Sequence, residues 1–174
     1  MSIGVSIRDA TIADVRSIDW ASSRVQSDAW LRECRRGQRE ASFMVAVCNG
    51  LVVGKVSVDW VRKPGVAWIW MASVCPAWQG HGIGTAMIAA AEVRAIRNRV
   101  VFAELAVDDD NPRAAALYER LGYRFVGSHF ERRPAVDDHG NEYVAEKNGR
   151  VMRKALDTAG TDSPEFPVAL MISI

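Results

Sequence analysis

The stretch Trp78-Gln79-Gly80-His81-Gly82-Ile83-Gly84-Thr85 places glycine at every second position of its middle. An apolar run, 66–74, ends just before it at Cys75-Pro76, and an alanine-rich run without proline begins just after it. Strand, glycine turn and helix start in that order aim several backbone N–H groups at one point, at the positive end of a helix. Glycine permits close approach and positive φ there. The guest that suits such a turn is a phosphate or pyrophosphate. The plainer alternative is a strand-to-helix connection with no ligand.

Two common phosphate turns do not fit. A P-loop needs Gly-Lys followed by Ser or Thr, and here Gly84 runs directly into Thr85. A dinucleotide fingerprint needs G-x-G-x-x-G, but the last glycine is replaced by Thr85 counting from Gly80 and by Met87 counting from Gly82.

The rest of the chain alternates between strand and helix patterns. Residues 6–8 read as a first strand. Thr11 is an N-cap for a helix carrying Ile12, Val15 and Ile18. A second helix is predicted to open at Ser27-Asp28, and its tail carries Arg32, Arg35, Arg36 and Arg39, a solvated face or a phosphate holder. Residues 43–48 and 51–60 form a hairpin about Asn49-Gly50. The run 66–74 is apolar on both sides, as in a central strand buried on both faces. A helix over 83–97 and a strand over 100–107 follow. Asn111 caps the next helix, with Pro112 first inside it and Gly122 closing it. Strands at 123–130 and 150–156 flank a polar loop at 134–141. A hairpin first and βαβα later predicts a mixed α/β sheet with helices on its faces.

Composition narrows the classes. The 174-residue chain is 49% apolar and 25% charged, which suits one globular domain with a real core. A formal charge of +1 gives no bulk electrostatic case for nucleic acid or an anionic membrane. Cys34, Cys48 and Cys75 match neither a metal-ligand spacing nor a disulfide framework, which fits a reducing compartment. The first residues lack a leader pattern, and no apolar run reaches membrane-spanning length, so a cytoplasmic location is expected. The domain is expected to span 1–156. Residues 157–174 read as a linker and a β-prone tail, which could extend a sheet edge or pair with a second copy in a homodimer.

Gln79, Gly82 and Gly84 form Q-x-x-G-x-G, and in context this resembles the acetyl-CoA pyrophosphate loop of the GCN5-related N-acetyltransferase superfamily. Asn111-Pro112-Arg113-Ala114-Ala115-Ala116-Leu117-Tyr118-Glu119-Arg120-Leu121-Gly122-Tyr123 is similar to its second signature, an asparagine-started helix with a tyrosine seven residues on and a Leu-Gly-aromatic end. The resemblance extends loosely over 3–156. It implies a mostly antiparallel mixed sheet of about six to seven strands, with about four helices and a V-shaped splay between the fourth and fifth strands. It further implies direct acetyl transfer from acetyl-CoA to a primary amine, with no metal.

On that resemblance the cofactor lies against Ala72, Val74, Gln79, Gly80, His81, Gly82, Ile83, Gly84, Thr85, Asn111 and Tyr118. A free N–H near Val74 faces the acetyl oxygen. Tyr118 matches the position that protonates the departing thiolate. The base is less well marked. Trp68 and Ala106 stand where some members carry glutamate, so Glu104, the only charge in 100–107, is the candidate, with a raised pKa expected from its apolar strand. Asp59 with a relayed water is the alternative. The acidic residues Asp137, Asp138, Glu142 and Glu146 suggest a small cationic amine as acceptor, such as a polyamine, an aminoglycoside or a lysine side chain. Two other readings stay open: an idle acyl-CoA sensor, which the missing glutamate at Trp68 would favour, and a protein- or tRNA-directed acetyltransferase.

Overall fold

The computed structural model describes residues 2–18, 20, 24–37, 39–137, 139–157 and 168–173. Strand β1 (Ser2–Asp9) leads into helix α1 (Ile12–Arg16). Thr11 caps α1 as its position predicts, in a capping box with Asp14. Arg8 clamps the same carboxylate at 2.7 and 2.8 Å and, with burial working against it, holds Asp14 at a pKa of about 2. The helix ends at Ser17, so Ile18 reaches the core from outside it, fully buried. Helix α2 (Arg24–Arg36) begins earlier than Ser27-Asp28, which fall inside its first turns.

Asn49 and Gly50 both take positive φ, 48° and 78°, as a type I′ turn requires. They join β2 (Ala41–Cys48) to β3 (Leu51–Lys63), and β4 (Val66–Val74) continues the meander antiparallel. Helix α3 (Ile83–Arg97) then crosses over to β5 (Phe102–Asp108), which lies parallel to β4. Helix α4 (Pro112–Arg120) leads to β6 (Arg124–Val136) and β7 (Glu142–Ala155). This last hairpin is longer than the sequence suggests. Pro134 sits inside β6 and not in a loop, tolerated because β6 is an edge strand where a missing N–H costs nothing.

Strands β1 to β7 and four helices form the predicted mixed sheet. An eighth strand, β8 (Val168–Ser173), runs antiparallel along the outer edge of β1, giving the order β6-β7-β5-β4-β3-β2-β1-β8. The linker read at 157–164 lies outside the described residues apart from Asp157.

Two cores lie on opposite faces. One packs α3 and α4 against Val5, Val56, Ile69, Leu105 and Met152. The other packs Val15, Ile18 and Trp30 from the α1–α2 side against Phe43, Val45 and Val52. Strand β4 is buried on both faces only at its start. Val66, Ala67 and Ile69 are buried, but Trp68 and Trp70 are half-exposed, because α1 and α2 cover the sheet over β1 to β3 and leave β4 partly open.

Candidate active site

The sheet opens where β4 and β5 part. Their parallel register runs from Val66↔Phe102 to Ile69↔Leu105 and stops. Beyond it β4 carries an irregularity against β3, where Lys55 pairs Ser73 but Ser57 pairs Trp70. Met71 takes φ 53°, the left-handed conformation a bulge of this kind uses to bend a strand. Bulge and lost pairing together make the predicted V-shaped splay.

The splay frees backbone groups of β4. Cys75 donates its N–H to the Val53 carbonyl of β3 at 2.9 Å. Strand alternation therefore turns the Val74 N–H and carbonyl the other way, into the gap. Gln79 Nε2 donates to that carbonyl at 3.1 Å, and Arg113 Nη1 donates to Gln79 Oε1 at 3.0 Å. The glutamine thus ties the end of β4 through the glycine turn to the start of α4.

The turn is built for close approach. Gly82 is the N-cap of α3 with φ 80° and ψ −1°, a conformation that costs a residue with Cβ about 1–2 kcal/mol. At Gly84 a Cβ would touch Leu117 Cδ2 at 3.4 Å and Val74 Cγ2 at 3.8 Å, so α4 and the end of β4 lie close about this turn. From there a groove of about 510 Å³ runs between the two helices to the splay. Ala72, Val74, Gln79, Gly80, Gly82, Ile83, Gly84, Thr85, Asn111 and Tyr118 line it, and His81 does not. The His81 ring turns instead to its own loop, with Nδ1 3.3 Å from the Trp78 carbonyl.

Arg113 and Arg120 also line the groove, and among the described residues no carboxylate does. Sequence reasoning missed both arginines. Their separation by two helical turns on α4, starting beside the Asn-Pro cap, was the available signal. A groove with a backbone-donor turn beside Arg113, a second arginine two helical turns further along α4 and apolar side chains between them fits a long, negatively charged ligand.

Tyr118 lies 8% exposed on α4, and burial raises its pKa above the ordinary tyrosine value. Its ring stands 6.1 Å from that of Tyr123, and no described residue hydrogen-bonds its hydroxyl. Asn111 spends its side-chain oxygen on the Ala114 N–H at 3.1 Å, a helix cap.

Glu104 behaves differently from expectation. It lies at the paired end of the strands, opposite Trp68 on β4 and Arg153 on β7, and outside the groove lining. Burial pushes its carboxyl up, but hydrogen bonds from Arg153 and from Lys63 at 3.1 Å, with their charges, outweigh burial and hold it below the ordinary value. A carboxylate so paired is a weak base. Asp59, the alternative, is fully buried and held by Arg36 and Arg62, each at 3.1 Å. Arg36 of the α2 arginine cluster is thereby structural, while Arg32, Arg35 and Arg39 are exposed.

A parallel strand pair that parts beside a glycine turn at a helix N-terminus is the architecture of an acetyltransferase. The model of the acetyltransferase (GNAT) family matches residues 11–123. The fold is shared with solved structures. One is yncA from Salmonella typhimurium with its cofactor acetyl-CoA (22% identity, 92% of this chain and 99% of that one, TM-score 0.66). Others are the ribosomal-protein-S18-alanine N-acetyltransferase from Escherichia coli (17%, 92% and 99%, 0.66) and the paia N-acetyltransferase from Thermoplasma acidophilum in complex with coenzyme A (16%, 87% and 98%, 0.62). The chain belongs to the GNAT family and is an acetyl-CoA-dependent N-acetyltransferase. No described helix is long and apolar enough to cross a membrane.

Proposed function

We propose that this chain acetylates the primary amine of a small molecule, with Tyr118 as the proton donor to the departing thiol. The observation that carries the proposal is the continuity of the groove: one surface joins the glycine turn, the Val74 N–H and Tyr118. Acetyl-CoA supplies the activated acetyl group. The turn N–H groups of 80–85, with Arg113 and Arg120, hold the pyrophosphate. The Val74 N–H donates to the acetyl oxygen as that oxygen gains negative charge. Tyr118, kept protonated by its burial, delivers a proton at its hydroxyl. Asn111 starts the helix that positions it. His81 contributes at the rim of the turn and not in the groove.

The base is a water or the acceptor's own unprotonated fraction; Glu104 holds the strand ends together. A cationic acceptor was suggested by the acidic residues near the β6–β7 turn. Glu146 pairs with Arg132 at 3.3 Å and Asp137 is committed to its own turn, while Asp138 lies outside the described residues. They offer that preference little support. The fold likeness to ribosomal-protein acetyltransferases is at an identity that carries the architecture alone.

Acetyl-CoA at about a hundred times its dissociation constant is expected to stabilise the protein by about 2.7 kcal/mol, read as a rise in Tm. Thiol release across an amine panel then separates an enzyme from a sensor. Binding with no release from any amine would favour the sensor; no Tm rise would remove the cofactor assignment.

A further inference from the structure

The α2 face of the sheet carries a row of buried polar side chains that the acetyl-CoA groove does not use. Lys55, Ser57 and Asp59 alternate along β3 and are 4%, 0% and 0% exposed. Asp59 is fully accounted for: Arg36 and Arg62 bind it, and Arg36 also meets Glu33 at 3.0 Å and Glu40 at 3.5 Å. Lys55 and Ser57 are not. Lys55 Nζ lies 3.6 Å from the centroid of the Trp30 ring and meets no carboxylate among the described residues. Ser57 Oγ is buried with no hydrogen-bond partner among the described residues, and so is Nε1 of Trp70, the residue directly opposite it on β4.

Each of these groups can donate; among the described residues Ser57 Oγ and Trp70 Nε1 have no acceptor, and Lys55 Nζ has the face of the Trp30 ring in place of an anion. Buried polar groups are satisfied in more than nine cases of ten, so two facing orphans beside a buried lysine need a cause. Lys55 has lost hydration without gaining an anion, which draws its pKa down to about 7. A single carboxylate, with two oxygens and some four lone-pair sites, could satisfy all three groups and neutralise the lysine. A water offers too few acceptor sites and no charge.

Position links this cluster to the chemistry. The register pairs Lys55↔Ser73 and Ser57↔Trp70 bracket the bulge at Met71 and Ala72. Acetyl-CoA is placed on the α3–α4 side, so the acceptor amine must enter the splay from the α2 face. Resting on that reading, we propose that Lys55, Ser57 and Trp70 form a carboxylate subsite, and that the acceptor is an amino acid, a small molecule bearing a carboxylate besides its amine. The half-exposed Trp68 and Trp70 supply an aromatic floor for the rest of it.

The test uses the whole protein labelled with ¹⁵N-tryptophan. The Trp70 Nε1–H resonance, assigned with Trp70→Phe, is followed against the common amino acids and their amides at about 10 mM, with and without coenzyme A. The expected result is movement with at least one free acid and none with its amide, lost in Lys55→Met. In turnover, the acid is expected to exceed its amide about 10- to 100-fold in kcat/KM. Lys55→Met should raise KM for the acid by a similar factor with little change in kcat or in acetyl-CoA affinity; Ser57→Ala, a smaller change, should act in the same direction. A resonance that no amino acid moves, or acids and amides turned over alike, would overturn the proposal. So would equal movement by acetate with no acid preference in turnover, which would reduce the site to an unselective anion trap. The arm without coenzyme A reads the subsite even if acetyl-CoA fails to raise Tm, so the two readings fail separately.

Discussion

At the scale of single residues, environment decided which titratable groups remain available. Tyr118 and Glu104 are both poorly exposed, at 8% and 6%. Tyr118 faces the groove with a hydroxyl that no described residue engages; Glu104 faces Arg153 and Lys63. Tyr118→Phe removes only the hydroxyl. It is expected to lower kcat about 10²-fold with the acetyl-CoA affinity nearly intact, measured by thiol release and by Tm shift. Equal loss of both would make Tyr118 a packing residue. Glu104→Gln should instead cost stability, about 1–3 kcal/mol given that both partners stay partly hydrated, with a small effect on turnover. Its pH dependence has a definite sign. The folded pKa lies below the ordinary value of 4.5, so the stabilisation is full above that value and lost as pH falls through the folded one. The Tm gap between wild type and Glu104→Gln should therefore narrow in acid. A constant gap down to pH about 3 would remove the ion pair as its cause.

At the scale of elements, the turn before α3 and the bulge in β4 are the two non-regular pieces on which the site depends. Gly82 is required because the N-cap there is left-handed and faces the groove. Gly82→Ala is expected to cost about 1–2 kcal/mol in stability and to weaken acetyl-CoA about tenfold, roughly one charged hydrogen bond. Steady-state KM and the Tm shift report the two effects independently. A variant that lost stability alone would show that the turn does not grip the pyrophosphate. The turn was legible in sequence because three glycines at alternate positions are a local signal. The bulge was not. Met71 is an ordinary apolar residue, and its φ of 53° follows from the mismatch between β3 and β4, a contact between distant segments. The length of β6 and β7 was hidden for the same kind of reason. Their outer halves are held by each other's backbones, with exposed or half-buried side chains on both faces and Pro134 in the run, so the local pattern reads as a loop.

At the scale of the molecule, the chain forms one eight-stranded sheet whose β8 edge lies far from the β4–β5 splay. In the strand order β1 and its neighbour β8 lie on one side and the splay lies between β4 and β5. We propose that 157–174 is an accessory to a domain spanning 1–156. Removing the tail should lower Tm and solubility by baring the β1 edge, while the acetyl-CoA Tm shift persists; loss of that shift would make the tail part of the working domain. The sequence by itself determined the cofactor side of this protein. The glycine turn, the Asn111 cap and Tyr118 are short, local patterns whose backbone geometry follows from residue type. Tertiary structure decided the acceptor side. Whether Glu104 meets an arginine, whether Lys55 meets an anion and where Arg113 and Arg120 point all depend on residues far away in the chain. The glycine turn thus sets the backbone geometry at one end of the groove. At the other end, buried charges take their meaning from partners that only folding supplies.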